Sequence, residues 1–224
     1  MNNLRTTKIL GYMGLLGSIL VGLGEHLLHY SDDILGNAEN YGFFNTVPQH
    51  NMSWGHFISV AGLPFYFAGY IHIYQMLRSG NEMFARIVLI IGFIAFAVGG
   101  IWIGSRATIG NIVHLEHSIN PEAYVKIVDH YTRHLEILVE ILRGVIALLS
   151  AFFVITIIKG GTFYKKWMAF FNPITILITL TLIGFALPSI GKHILPILMN
   201  ITHFILFALS IYQLRAFLKP VNDV

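Results

Sequence analysis

Apolar residues in this chain come in long unbroken runs, not in the strict alternation of a half-buried strand or the one-sided stripe of a surface helix. Six runs, near 9–29, 55–77, 84–105, 135–158, 167–189 and 193–216, each supply the roughly 20 apolar residues that a helix needs to cross a hydrocarbon core about 30 Å thick. The connections between them differ in kind. Segments 78–86 and 159–166 are short turns built around Ser79-Gly80-Asn81 and Gly160-Gly161, whereas 30–53 and 106–134 are long, polar and rich in histidine. Within the second long connection, Asn120-Pro121-Glu122 reads as an N-cap and a first helical turn. The fourth helix is therefore expected to start as an amphipathic stretch ahead of its apolar part. The pattern predicts an all-α fold: a polytopic six-helix membrane bundle over 1–224, without internal repeat or linker, with helical extensions on one side.

Composition closes the other routes. Of 224 residues, 55% are hydrophobic and only 11% charged, against about 25% charged in soluble domains. The mean hydropathy is +0.69. A net charge of +3 and a pI near 9.1 come from Lys and Arg scattered singly or in pairs, so no basic stripe for nucleic acid exists. Those cations report topology instead. With the N-terminus inside, nine of the 14 fall on the cytoplasmic side, four outside, and Arg143 within the fourth run. The bias predicts both termini in the cytoplasm, and a bacterial inner membrane is the expected location. Arg5 and Lys8 precede the first run much as in a signal peptide, but the run ends in Glu25-His26-Leu27-Leu28-His29 without a cleavage pattern and is read as a span. There is no Cys, which excludes disulfides, thiolate metal sites and thiol nucleophiles.

On this topology nine of 11 His and nine of 11 carboxylates gather on the outer side. Long outer loops account for part of that excess; the residues on helices carry the information. Glu25 and His29 share a helical face, with His26 beside them, and His130 and His134 share another at the spacing that lets two imidazoles reach one ion. His56, beside the interfacial Trp54, can join them. The expected metal ligands are therefore Glu25, His26, His29, His56, His130 and His134. Asp129, Arg133, Glu136, Glu140 and Arg143 form a separate stripe on the fourth helix. Charges within a bilayer cost on the order of 2.5–3.5 kcal/mol or more, so Glu140 and Arg143 are expected to face the bundle interior or a wet cavity. Glu136, Glu140 and Arg143 are the expected catalytic groups.

These features point to a metal-dependent membrane enzyme, a hydrolase or oxidoreductase holding zinc or iron near the extracytoplasmic face, acting on a lipid or other hydrophobic small molecule. Two alternatives use the same residues. A b-type haem or quinone protein would take imidazoles from His26 or His29 with His193 or His56. A proton-coupled transporter would use Glu140, Arg143 and His203 as a relay. His203 with Asn200 one turn earlier is read as a hydrogen-bonded packing pair, and His72 as an anchor at the inner interface beside Tyr70 and Tyr74.

Overall fold

A computed structural model describes residues 2–32, 34 and 39–218. Every regular element among them is helical: α1 (Asn2–His29), α2 (Gln49–Leu77), α3 (Glu82–Val113), α4 (Pro121–Lys159), α5 (Pro173–Ala186), α6 (Pro188–Ile194) and α7 (Leu198–Leu218). Short 3₁₀ turns cover Glu39–Thr46, Lys166–Phe171 and Leu195–Ile197. Five helical stretches, Leu4–His29, Gln49–Leu77, Glu82–Val113, Pro121–Lys159 and Pro188–Leu218, are long and apolar enough to cross a membrane.

The expected fifth span over 167–189 takes a different form. Asn172 accepts a hydrogen bond from the Thr175 amide and starts α5, which has only 14 residues and is about 21 Å long. Leu187-Pro188 then breaks the helix, because proline offers no amide to continue it. By contrast α4 has 39 residues, about 58 Å, nearly twice the hydrocarbon thickness. Its start is the one expected: the Asn120 side chain accepts hydrogen bonds from the Glu122 and Ala123 amides, with Pro121 in the first turn.

Antiparallel hairpins α1–α2 and α3–α4 form the body, and α7 lies against α1. Close approach of α1 and α2 follows from glycines on both. A Cβ on Gly14 would stand 2.7 Å from the Gly69 Cα, and one on Gly24 would stand 2.6 Å from the Gly55 carbonyl oxygen. Gly55, Gly62 and Gly69 recur every seven residues on α2, a seam of small residues that lets two backbones meet without help from the hydrophobic effect. Tyr66, Tyr70, Phe153 and Phe207 fill the centre.

The two ends of the bundle differ. At the end bearing Lys8, Arg78 and Lys159, Gly160 and Gly161 take the positive φ values of 85° and 75° that the turn out of α4 requires. At the other, histidine-bearing end, the 3₁₀ turn Glu39–Thr46 caps the bundle and buries Phe43 and Phe44.

Candidate functional site

A cavity of about 450 Å³ lies between α3, α4, the first turns of α5, and α7, with Glu25 of α1 and Leu63 of α2 in its wall. Its walls are apolar: Leu63, Phe96, Gly99, Trp102, Ile146 and Ile178 are representative. Leu195 and Pro196, in the irregular turn between α6 and α7, close one side. Non-helical backbone at membrane depth is tolerated where it lines a cavity, as here.

Three polar residues, Glu25, Asn200 and His203, reach this space from its inner wall. Each is held from behind. Tyr66 donates its hydroxyl to Asn200 Oδ1 at 2.6 Å, and the Asn200 amide donates to Glu25 Oε2. His203 Nδ1 lies 2.8 Å from the Met199 carbonyl oxygen, which can only accept, so Nδ1 carries the proton. The other nitrogen, Nε2, then accepts the Tyr70 hydroxyl at 2.8 Å. Asn200 and His203 recur one turn apart on α7, and Tyr66 and Tyr70 one turn apart on α2, so the two helices are bonded rung by rung. Asn200 and His203 thus do not bond each other, the pairing expected from the sequence; each bonds a tyrosine of α2, in an inter-helix lock that also faces the cavity.

A second lock lies nearer the lysine-bearing end. His72 is fully buried within the protein: Nδ1 donates to the Thr7 carbonyl at 2.7 Å, and Nε2 accepts from the Ser210 hydroxyl at 2.6 Å. Tyr164 completes the chain by donating to Ser210 Oγ at 2.6 Å. Phe207 lies between this group and His203 along α7 and packs against Gly14 and Gly69, so the two locks are separate.

The six nominated metal ligands divide among four places. Glu25 faces the cavity. His29, one turn on, belongs to a different contact: its Nε2 accepts from Arg106 Nε at 3.1 Å. The Arg106 guanidinium lies under the 3₁₀ cap, 4.7 Å from the Tyr41 ring centroid and 5.0–5.4 Å from those of Phe43, Phe44 and Trp102. This is a cation–π cage. Tyr41 adopts a positive φ of 60°, uncommon for a residue with a side chain. His26 stacks on Tyr30, which stacks on His193, with ring centroids 4.7 and 5.0 Å apart. Imidazole lone pairs lie in the ring plane, so this face-to-face stack does not aim His26 and His193 at one haem iron.

His56, His130 and His134 remain together. They line a separate cleft of about 560 Å³ between α2, α3 and α4, with Ser105, Thr108 and Tyr131. His56 Nδ1 is buried and without a hydrogen-bond partner among the described residues. Even so, no three His, Cys, Asp or Glu among the described residues stand close enough to hold an ion.

Glu140 and Arg143 do not face the bundle interior, one of the two settings expected of them. They pair at 2.5 Å with side chains 67% and 70% exposed. The reason is helical phase: Leu138, Ile146 and Leu149 occupy the buried face of α4, and the charged stripe follows the opposite side. Arg143 still reaches the cavity, whose lining it joins with Val139 and Leu142. Glu136 is exposed one turn beyond the pair.

Outside the helical core, Asp32 accepts from Lys192 at 2.5 Å and from Tyr30 at 3.0 Å. Those two hydrogen bonds, Lys192 first, hold the Asp32 carboxyl below its ordinary range.

A family model described as a family of unknown function (DUF6796) matches residues 1–216, and the chain belongs to that family. No curated protein and no solved structure matches it.

Proposed function

We propose that this member of the family is an integral membrane protein that takes a hydrophobic small molecule or lipid into the cavity beside the short α5 and orients it on Glu25, Asn200 and His203. The supporting observation is the cavity itself. A space of about 450 Å³ falls within the 300–1,000 Å³ usual for small-molecule sites, and an apolar wall with a few convergent polar groups is their usual composition.

The distribution of charge supports both termini in the cytoplasm and the histidine-bearing end outside. On that orientation α5 is a shortened fifth crossing, Pro188–Leu218 a bent sixth, and the start of α4 an extension beyond the outer face. A bacterial inner membrane remains the expected location. Arg143, paired with Glu140, joins the cavity lining and would meet a molecule bound there. The reading is tested by purifying the chain in mild detergent and analysing what it carries. An apolar compound retained near one per chain, and lost on filling the cavity with Leu63→Trp, is the expected result. Equal retention by both proteins would overturn it.

The cleft of His56, His130 and His134 supports a second reading, in which a divalent ion such as zinc or iron gives the protein a metal-dependent hydrolase or oxidoreductase activity. Imidazole suits both ions, but α2 and α4 would have to draw together to ligate one. Elemental analysis decides: a stoichiometric ion lost in His130→Ala/His134→Ala supports this reading, and a metal-free protein active on its ligand removes it.

A further inference from the structure

We infer that the cavity selects an amphiphile with an uncharged hydroxyl head, and that Glu25 is the group that receives it. This rests on the cavity reading above and adds the chemistry of the ligand's polar end.

Glu25 is only 7% exposed, and one carboxyl oxygen, Oε2, accepts from Asn200. The other oxygen, Oε1, makes no hydrogen bond among the described residues, and no Lys, Arg or His among them pairs with the carboxyl within 4 Å. Oε1 is not sealed off by protein, and Glu25 lines the cavity, so this oxygen is open to a partner supplied from elsewhere. His203 has nothing left to offer, because both ring nitrogens are engaged.

Charge narrows the head group. An anionic head is disfavoured beside the Glu25 carboxyl, and the cation in the lining, Arg143, is already paired with Glu140. A cationic head meets the positive field of Arg106, which acts on Glu25 without touching it. A neutral head avoids both. Among neutral heads, ethers, ketones and esters only accept hydrogen bonds, whereas a hydroxyl gives and takes one, and so serves a carboxyl oxygen in either protonation state. The apolar walls formed by Leu63, Phe96 and Trp102 then receive the hydrocarbon part.

The test uses the full chain in lipid nanodiscs loaded with a pyrene-labelled fatty alcohol as reporter. Lauryl alcohol, lauric acid, lauryl amine and dodecane compete for it, each corrected for partition into empty nanodiscs. Lauryl alcohol is expected to displace the reporter at a concentration about tenfold or more below that of dodecane, the scale of one hydrogen bond to a carboxyl group, and below those of the acid and the amine. In Glu25→Leu the gap between alcohol and dodecane closes. Glu25→Gln, whose amide also gives and takes hydrogen bonds, retains it and shows that the loss is not misfolding. If Glu25→Leu fails to fold, the wild-type series decides alone. Equal displacement by alcohol and dodecane, or tighter binding of the acid or the amine, overturns the inference but leaves the cavity reading intact. Failure of the wild-type chain to bind the reporter overturns the cavity reading itself.

Discussion

Tyr66 shows how a single atom supports the site. Its ring stacks on Phe96, centroids 3.8 Å apart, and its hydroxyl holds Asn200, which in turn holds Glu25. Tyr66→Phe keeps the ring and removes the hydroxyl, leaving a buried Asn200 oxygen without its donor. It should cost about 1–3 kcal/mol, read as a lowered thermal midpoint in detergent, and should weaken ligand retention; an unchanged midpoint would deny the hydroxyl its role. Asp32 gives a pH-dependent case. Its carboxyl is held below the ordinary range by Lys192 and Tyr30, so this stabilisation is present above the unfolded carboxyl's range and disappears as pH falls through the folded value. The thermal midpoints of wild type and Asp32→Asn should therefore differ at neutral pH and converge in acid, and a difference that persists at pH 3 would contradict the assignment. At this scale, residue type was legible and orientation was not. Glu25 stands out in the sequence because it shares a helical face with His29. Nothing in the spacing shows that His29 turns to Arg106 while Glu25 turns to Asn200, since that choice belongs to the neighbouring helices.

At the scale of elements, helices could be read from hydrophobic runs because each must satisfy its own backbone in a bilayer. The Asn120-Pro121 start of α4 was equally legible, as capping is local. The fifth segment was not: apolar content continues through 167–189, and only the prolines at 173 and 188 mark where the helix begins and breaks. Helical phase was the other hidden quantity. The stripe containing Glu140 and Arg143 was evident, yet which side of α4 it follows depends on what packs against Leu138 and Ile146. An exposed pair of this kind contributes little, about 0.2–0.5 kcal/mol, but either charge left alone beside lipid is expensive. Glu140→Ala should thus destabilise the protein more than Glu140→Ala/Arg143→Ala together, measured by thermal unfolding in nanodiscs. Simple additivity would show that the pair is not coupled.

For the molecule as a whole, the bias of Lys and Arg gives an orientation that labelling can test. The natural absence of Cys makes topology directly measurable. Ser118→Cys should react with a membrane-impermeant maleimide added to intact cells, and Ser79→Cys only after lysis; the reverse pattern would invert the orientation. Occupancy of the cavity is the central claim, and two glycines test it most directly. Gly99 lines the cavity and Gly144 lies on the exposed side of α4, and an added Cβ meets no atom within 4 Å at either position. The decisive measurement is the amount of apolar compound carried per chain by Gly99→Trp and Gly144→Trp after identical purification. Loss in the first with wild-type retention in the second is the predicted result, and retention by both would contradict the account.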